Sequence, residues 1–116
     1  MEVLNGMNIK VKFFEEDIVE AIGAGVYQID IEIDSKSEPL YIGESVFVLV
    51  RCATHLYEFK KNPEYLGITK DKIKDDNIIL KFNLIELEGD KAKRKDREVK
   101  LIKERKPLTQ SGVSDF

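Results

Sequence analysis

The chain holds one cysteine, one histidine and three prolines in 116 residues. A single Cys excludes a disulfide framework within one chain. One Cys and one His together exclude a Cys/His zinc centre built by this chain alone. No apolar run approaches the roughly 20 residues that a membrane span requires. Residues 1–20 mix charges of both signs and contain no apolar signal-peptide core, so cytoplasmic residence without a membrane partner is the expectation. A glycine-rich phosphate loop of the Walker type is also absent.

What is present describes one small folded unit. The length suits a single domain with one core. Hydrophobic residues make up 42% and charged residues 35%, a balance that favours a packed chain over a disordered one. The net charge of −3 argues mildly against a general nucleic-acid binder. Its distribution argues the other way. Residues 91–106 carry nine Lys or Arg against three acids, about +6, which leaves −9 for the remainder. A basic segment on an acidic body can follow a phosphate backbone, or it can be a solvated helix face laced with i,i+4 ion pairs.

Periodicity supplies the elements. Ile9, Val11 and Phe13 alternate with Lys10 and Lys12, a short strand. Residues 15–22 suit one or two helical turns, broken by Gly23 and Gly25. Tyr27, Ile29, Ile31 and Ile33 alternate with Gln28, Asp30, Glu32 and Asp34, a longer amphipathic strand. The polar run 34–39 reads as a hairpin loop, and 40–43 as a short antiparallel second strand. Residues 45–60 lack Gly and Pro and read as a helix. Its expected apolar stripe is Val46, Leu49, Val50, Cys52, Ala53, Leu56 and Tyr57. Asn62-Pro63 ends it. Residues 77–88 form a third strand with Ile78, Leu80, Phe82 and Leu84 on one face. Asp90 is placed to cap a helix over 91–106, which Pro107 stops. The expectation is an α+β domain: a small, mainly antiparallel three-stranded sheet flanked by helices, with an N-terminal strand/turn extension. The boundaries are an extension over 1–23, a domain over 24–110 and a tail over 111–116.

Several side chains could carry chemistry. Arg51 and His55 lie four apart, hence on one helix face, away from the expected apolar stripe. A guanidinium beside an imidazole suits a phosphate, and a simply solvated pair is the plainer reading. Cys52 is an i,i+3 neighbour of His55 but falls on the apolar stripe, where an inert buried thiol is usual. Glu98, amid Lys95, Arg97 and Lys100, stays ionised. It is either a salt-bridged surface carboxylate or a metal ligand, and one carboxylate with water and substrate phosphate can hold Mg²⁺. Tyr27 shares a strand face with Ile29 and Ile31, so a core tyrosine is the plain reading there.

Taken in order, Gly25-Val26-Tyr27, Tyr41-Ile42-Gly43, Arg51 eight residues after Gly43, His55 one turn later, Glu98 and Pro107 resemble the pattern of the GIY-YIG nuclease family. The resemblance spans 25–110. It departs at Gln110, where the family has Asn, in the lysine-poor run 44–48, and in the N-terminal segment. It implies a metal-dependent endonuclease hydrolysing phosphodiester bonds, with DNA as the expected substrate. Glu98 would hold one Mg²⁺ or Mn²⁺. Tyr27 would orient or activate water, and Arg51 would stabilise charge on the phosphoryl oxygens. Tyr41 and His55 would assist by hydrogen bonding, and Gln110 would brace the site. Lys93, Arg94, Lys95, Arg97, Lys100 and Lys103 would follow the nucleic-acid backbone. Sequence specificity would be low unless the chain forms a homodimer or recruits a larger partner protein. The alternative is a catalytically impaired relative acting as a nucleic-acid-binding or protein-interaction module.

Overall fold

A computed structural model describes residues 2–3, 9–68 and 77–109. Gln110, the tail over 111–116 and most of the charged run after Ile68 lie outside the described residues. The elements are β1 (Glu2–Val3), β2 (Ile9–Phe13), β3 (Gly25–Ile33), β4 (Lys36–Ser45), α1 (Val48–Lys61), β5 (Ile78–Leu87) and α2 (Lys91–Arg105), with 3-10 turns at Glu20–Ile22 and Pro63–Leu66. No described helix is long and apolar enough to cross a membrane.

The architecture is α+β, but the sheet is not three antiparallel strands. Its order is β1-β2-β5-β3-β4, four main strands extended by the two-residue β1. β3 is antiparallel to both β4 and β5, whereas β2 runs parallel to β5, with Ile9 opposite Ile78 and Phe13 opposite Phe82. The segment expected to be an extension therefore supplies a sheet strand, with Ile9 and Val11 buried. Alternation announces such a strand, but a parallel pair has no connecting turn to announce its partner.

The hairpin is tighter than its polar sequence suggests. Asp34 and Ser35 alone make the turn, at φ 50° and 67°, as a two-residue hairpin of primed type needs. Residues 36–39 continue β4 as an edge strand, where Pro39 is tolerated. Ile29 pairs with Tyr41 and Asp30 with Pro39, so Leu40 is the extra residue of a bulge. Both Leu40 and Tyr41 consequently enter the same core. The chain returns at Leu108 and Thr109, whose N–H groups donate to the Pro39 and Leu40 carbonyls at 3.1 and 3.0 Å, covering the edge there.

Each sheet face takes one helix. On one, Tyr27, Ile29, Tyr41, Leu80 and Phe82 pack with Val48, Cys52 and Phe59 of α1. On the other, Val26 and Ile42 pack with Leu101 of α2. The stripe of α1 differs from the expected one. Its buried residues are Val48, Cys52, His55 and Phe59, while Val46, Val50 and Tyr57 are exposed. The rotation follows from His55, whose ring nitrogens find partners inside the protein.

At the other helix, the Asp90 carboxylate accepts from the N–H of Ala92 and Lys93 at 2.8 and 3.3 Å. Asp90→Ala is expected to cost about 1 kcal/mol of stability, read as a lower urea midpoint at unchanged slope.

Candidate active site

The site begins where two backbones nearly touch. Gly43 sits opposite Tyr27 in the β3–β4 ladder. A Cβ at position 43 would overlap the Tyr27 hydroxyl and Cζ, so only glycine lets the phenol lie across this strand. The Tyr27 Oη reaches α1, 2.8 Å from His55 Nε2. His55 Nδ1 lies 2.9 Å from the Tyr65 Oη. Tyr41 packs edge-on to the same imidazole, ring centroids 5.2 Å apart. Tyr65 is aimed by its 3-10 turn. Asn62 accepts from Glu64 N–H through its side chain and from Tyr65 N–H through its carbonyl, and Gly67 leaves the turn at φ 77°.

The start of α1 has no side-chain cap at Phe47. It is tethered instead by Val48 N–H donating to the Gly23 carbonyl at 3.0 Å and Phe47 N–H donating to Ser45 Oγ at 3.1 Å. This fixes the first turn, which carries Arg51. The guanidinium lines a cleft of about 490 Å³ that also takes Tyr41, Glu44, Ser45 and Val46 from the end of β4, and Lys91, Arg94, Lys95 and Glu98 from α2. Tyr41, Arg51 and Glu98, from three separate elements, thus face one cleft. Tyr27 and His55 stand behind it, each with 0% exposure. His55 was expected beside Arg51 on a solvated face. It is in the core because Tyr27 and Tyr65 satisfy both of its nitrogens.

The electrostatics follow from this layering. Burial drives the Tyr27 phenol far above its ordinary value, with Cys52 and Tyr41 adding to the rise and Arg51 opposing it. Burial, then Arg51, lowers His55 to about 4, so the imidazole is neutral at neutral pH. Burial raises Tyr65 to about 12. Burial also pushes Cys52 well up, which leaves it an inert thiol and removes a thiolate–imidazole pair from consideration.

The basic helix is less free than its sequence suggests. Arg94, expected on the solvated stripe, is buried at 4% exposure. Its guanidinium donates to Glu44 Oε1 at 2.9 Å and to the Glu88 and Gly89 carbonyls at 3.1 and 2.9 Å. Lys95 reaches Glu44 at 3.2 Å, Arg97 pairs with Glu86, and Lys100 pairs with Asp96 at 3.0 Å. Burial alone would raise the Glu44 carboxyl, but the hydrogen bonds from Arg94 and Lys95 outweigh it and hold the group below its ordinary value. Lys93 and Lys103 are exposed. No group of three or more His, Cys, Asp or Glu that could cage a metal occurs among the described residues. No sequence motif joins Tyr65 to the site, and the Glu44–Arg94 pair links positions that no local pattern connects.

Neither a family model, nor a curated protein, nor a solved structure matches this chain.

Two outcomes are expected. Gly43→Ala should lose about 1–3 kcal/mol through overpacking against Tyr27. Gly89→Ala, which meets nothing within 4 Å, should stay within about 0.5 kcal/mol of the parent in the same urea titration. The second concerns His55. An unfolded imidazole near 6.5 takes up a proton that the folded protein refuses until about pH 4. The unfolded state therefore binds more protons in between, so stability is full above 6.5 and falls as pH drops toward 4. The total is about 3 kcal/mol, of which roughly 2 kcal/mol disappears between pH 7 and pH 5. Urea unfolding across that window checks it, and His55→Gln should flatten the dependence.

Proposed function

We propose that the chain is a metal-dependent phosphodiesterase of GIY-YIG type that cuts nucleic acid in the cleft between the end of β4 and the first turns of α1 and α2. The observation that carries the reading is the meeting of Tyr41, Arg51 and Glu98 in one cleft. The same motif residues, had they been ordinary strand ends and surface charges, had no need to converge.

The roles follow from position. Arg51 is a planar donor anchored on a tethered helix start, suited to the charge that develops on phosphoryl oxygens during hydrolysis. Glu98 would hold Mg²⁺ or Mn²⁺. A hard carboxylate oxygen beside the seat of a phosphate fits such an ion, which takes one or two carboxylates and fills the remaining positions with water and substrate. When bound, the ion would polarise the phosphate and make its water more acidic. Tyr41 is the phenol that meets the cleft. Tyr27 stands behind it, ring centroids 6.2 Å apart, and holds the layer in register with His55. Lys91 adds positive charge at the rim. With Arg94, Lys95, Arg97 and Lys100 engaged by acids of the protein, the number of phosphates neutralised should be small, and the footprint short.

Those same ion pairs favour a second reading, in which the domain binds nucleic acid weakly and does not cut it. Plasmid nicking in Mg²⁺ or Mn²⁺ separates the two. The wild type should nick. Arg51→Ala and Glu98→Ala should each lose on the order of 10²–10³-fold, the scale of removing one preorganised stabiliser, at unchanged unfolding midpoint. Equal activity in wild type and Glu98→Ala would sink the catalytic assignment. Salt-sensitive binding with no nicking by any form would select the second reading.

A further inference from the structure

Tyr65 belongs to none of the sequence motifs, yet it is the second partner of the chain's one imidazole. The polar atoms run in line: Tyr27 Oη, His55 Nε2, His55 Nδ1, Tyr65 Oη, at 2.8 Å and 2.9 Å. A neutral imidazole carries one N–H, so one nitrogen donates and the other accepts. Two proton orders satisfy both contacts. In one, Tyr65 donates to Nδ1 and Nε2–H donates to Tyr27, whose own hydroxyl proton must then find another acceptor. In the other, Tyr27 donates to Nε2 and Nδ1–H donates to Tyr65, whose hydroxyl proton turns outward.

Burial decides between them. Tyr27 is fully buried, and His55 is the only hydrogen-bond partner of its hydroxyl among the described residues. Leaving its O–H without an acceptor would cost about 1–3 kcal/mol. Tyr65 is half-buried, so its outward proton has solvent within reach. The second order is therefore the stable one.

We infer that Tyr65 is a positioning residue: as the acceptor for His55 Nδ1–H it satisfies the tautomer whose Nε2 takes the Tyr27 hydroxyl proton, and so fixes the imidazole and the Tyr27 ring behind the cleft. Its catalytic use rests on the phosphodiesterase reading; the tautomer does not. In use, the fixed imidazole holds the Tyr27 ring, which packs behind Tyr41, the phenol that meets the cleft. The titratable and charged groups facing Tyr27 and Tyr65 are Arg51 and Cys52 from α1, Tyr41 from β4, Glu98 from α2, and Glu58 near Tyr65.

The lone histidine makes the test unambiguous. Long-range ¹H–¹⁵N NMR at pH 7 on the full chain should show Nδ1 protonated and Nε2 bare. A protonated Nε2 would overturn the assignment. Tyr65→Phe keeps the ring but removes the acceptor for Nδ1–H; Tyr27 still needs Nε2, so the tautomer should persist while the Nδ1 proton exchanges faster with water, and an unchanged exchange rate would overturn the role given to Tyr65. If that variant fails to fold, the wild-type spectrum alone still decides the proton order. In nicking assays Tyr65→Phe should lower kcat on the order of tenfold with KM unchanged. The expected tautomer and exchange behaviour with no nicking by the wild type would support the positioning role and refute the phosphodiesterase reading separately. Full activity in Tyr65→Phe would overturn the catalytic use of that positioning.

Discussion

A neutral histidine buried between two tyrosines sets the geometry of this protein. Placing His55 inside requires partners for both nitrogens, and Tyr27 and Tyr65 supply them from a strand and a 3-10 turn. That demand rotates α1 so that Val48, Cys52, His55 and Phe59 form its buried face. Arg51, one turn before His55 on the same side, is thereby carried to the edge of the core, where the cleft opens. The phenol of Tyr27 can make the contact only because Gly43 has no side chain. The two glycine–tyrosine tripeptides are thus a packing device as well as a motif.

Charge is layered on this frame. The acidic Glu44 at the end of β4 draws in Arg94 and Lys95, which ties α2 to the sheet edge across the cleft. This brace brings Glu98, one turn beyond Arg94, toward Arg51. It also consumes basic charge that a long nucleic-acid track would need. A local excess of about +6 in the sequence becomes a small cationic rim in three dimensions, because several of its members answer acids of the same molecule. On the proposed reading the footprint would be short, around one phosphate, in keeping with the overall acidity of the chain.

Much of the fold was legible in local pattern. The alternation of Tyr27, Ile29 and Ile31, the capping Asp90 and the third strand around Leu80 and Phe82 all follow from residue spacing. The parallel union of β2 with β5 was not, since it joins segments far apart with no turn between them. The tight Asp34-Ser35 turn was obscured by polar residues that serve an edge strand. At the site, Arg51, Glu98 and Tyr41 were visible as a spaced pattern. His55 was misplaced on the solvent side because polarity argues for exposure unless partners are known, and Tyr65 bore no sequence signal at all. Gln110 lies outside the described residues.

The central claim is that Arg51 and Glu98 organise one metal-assisted phosphate site. Paramagnetic Mn²⁺, titrated into ¹⁵N-labelled protein with a non-cleavable phosphorothioate oligonucleotide, tests it most directly. Broadening of amide signals should centre on Glu98 and extend to Arg51 and Tyr41, and Glu98→Gln should abolish it. Broadening centred on other acids, or a pattern that Glu98→Gln leaves intact, would contradict the account.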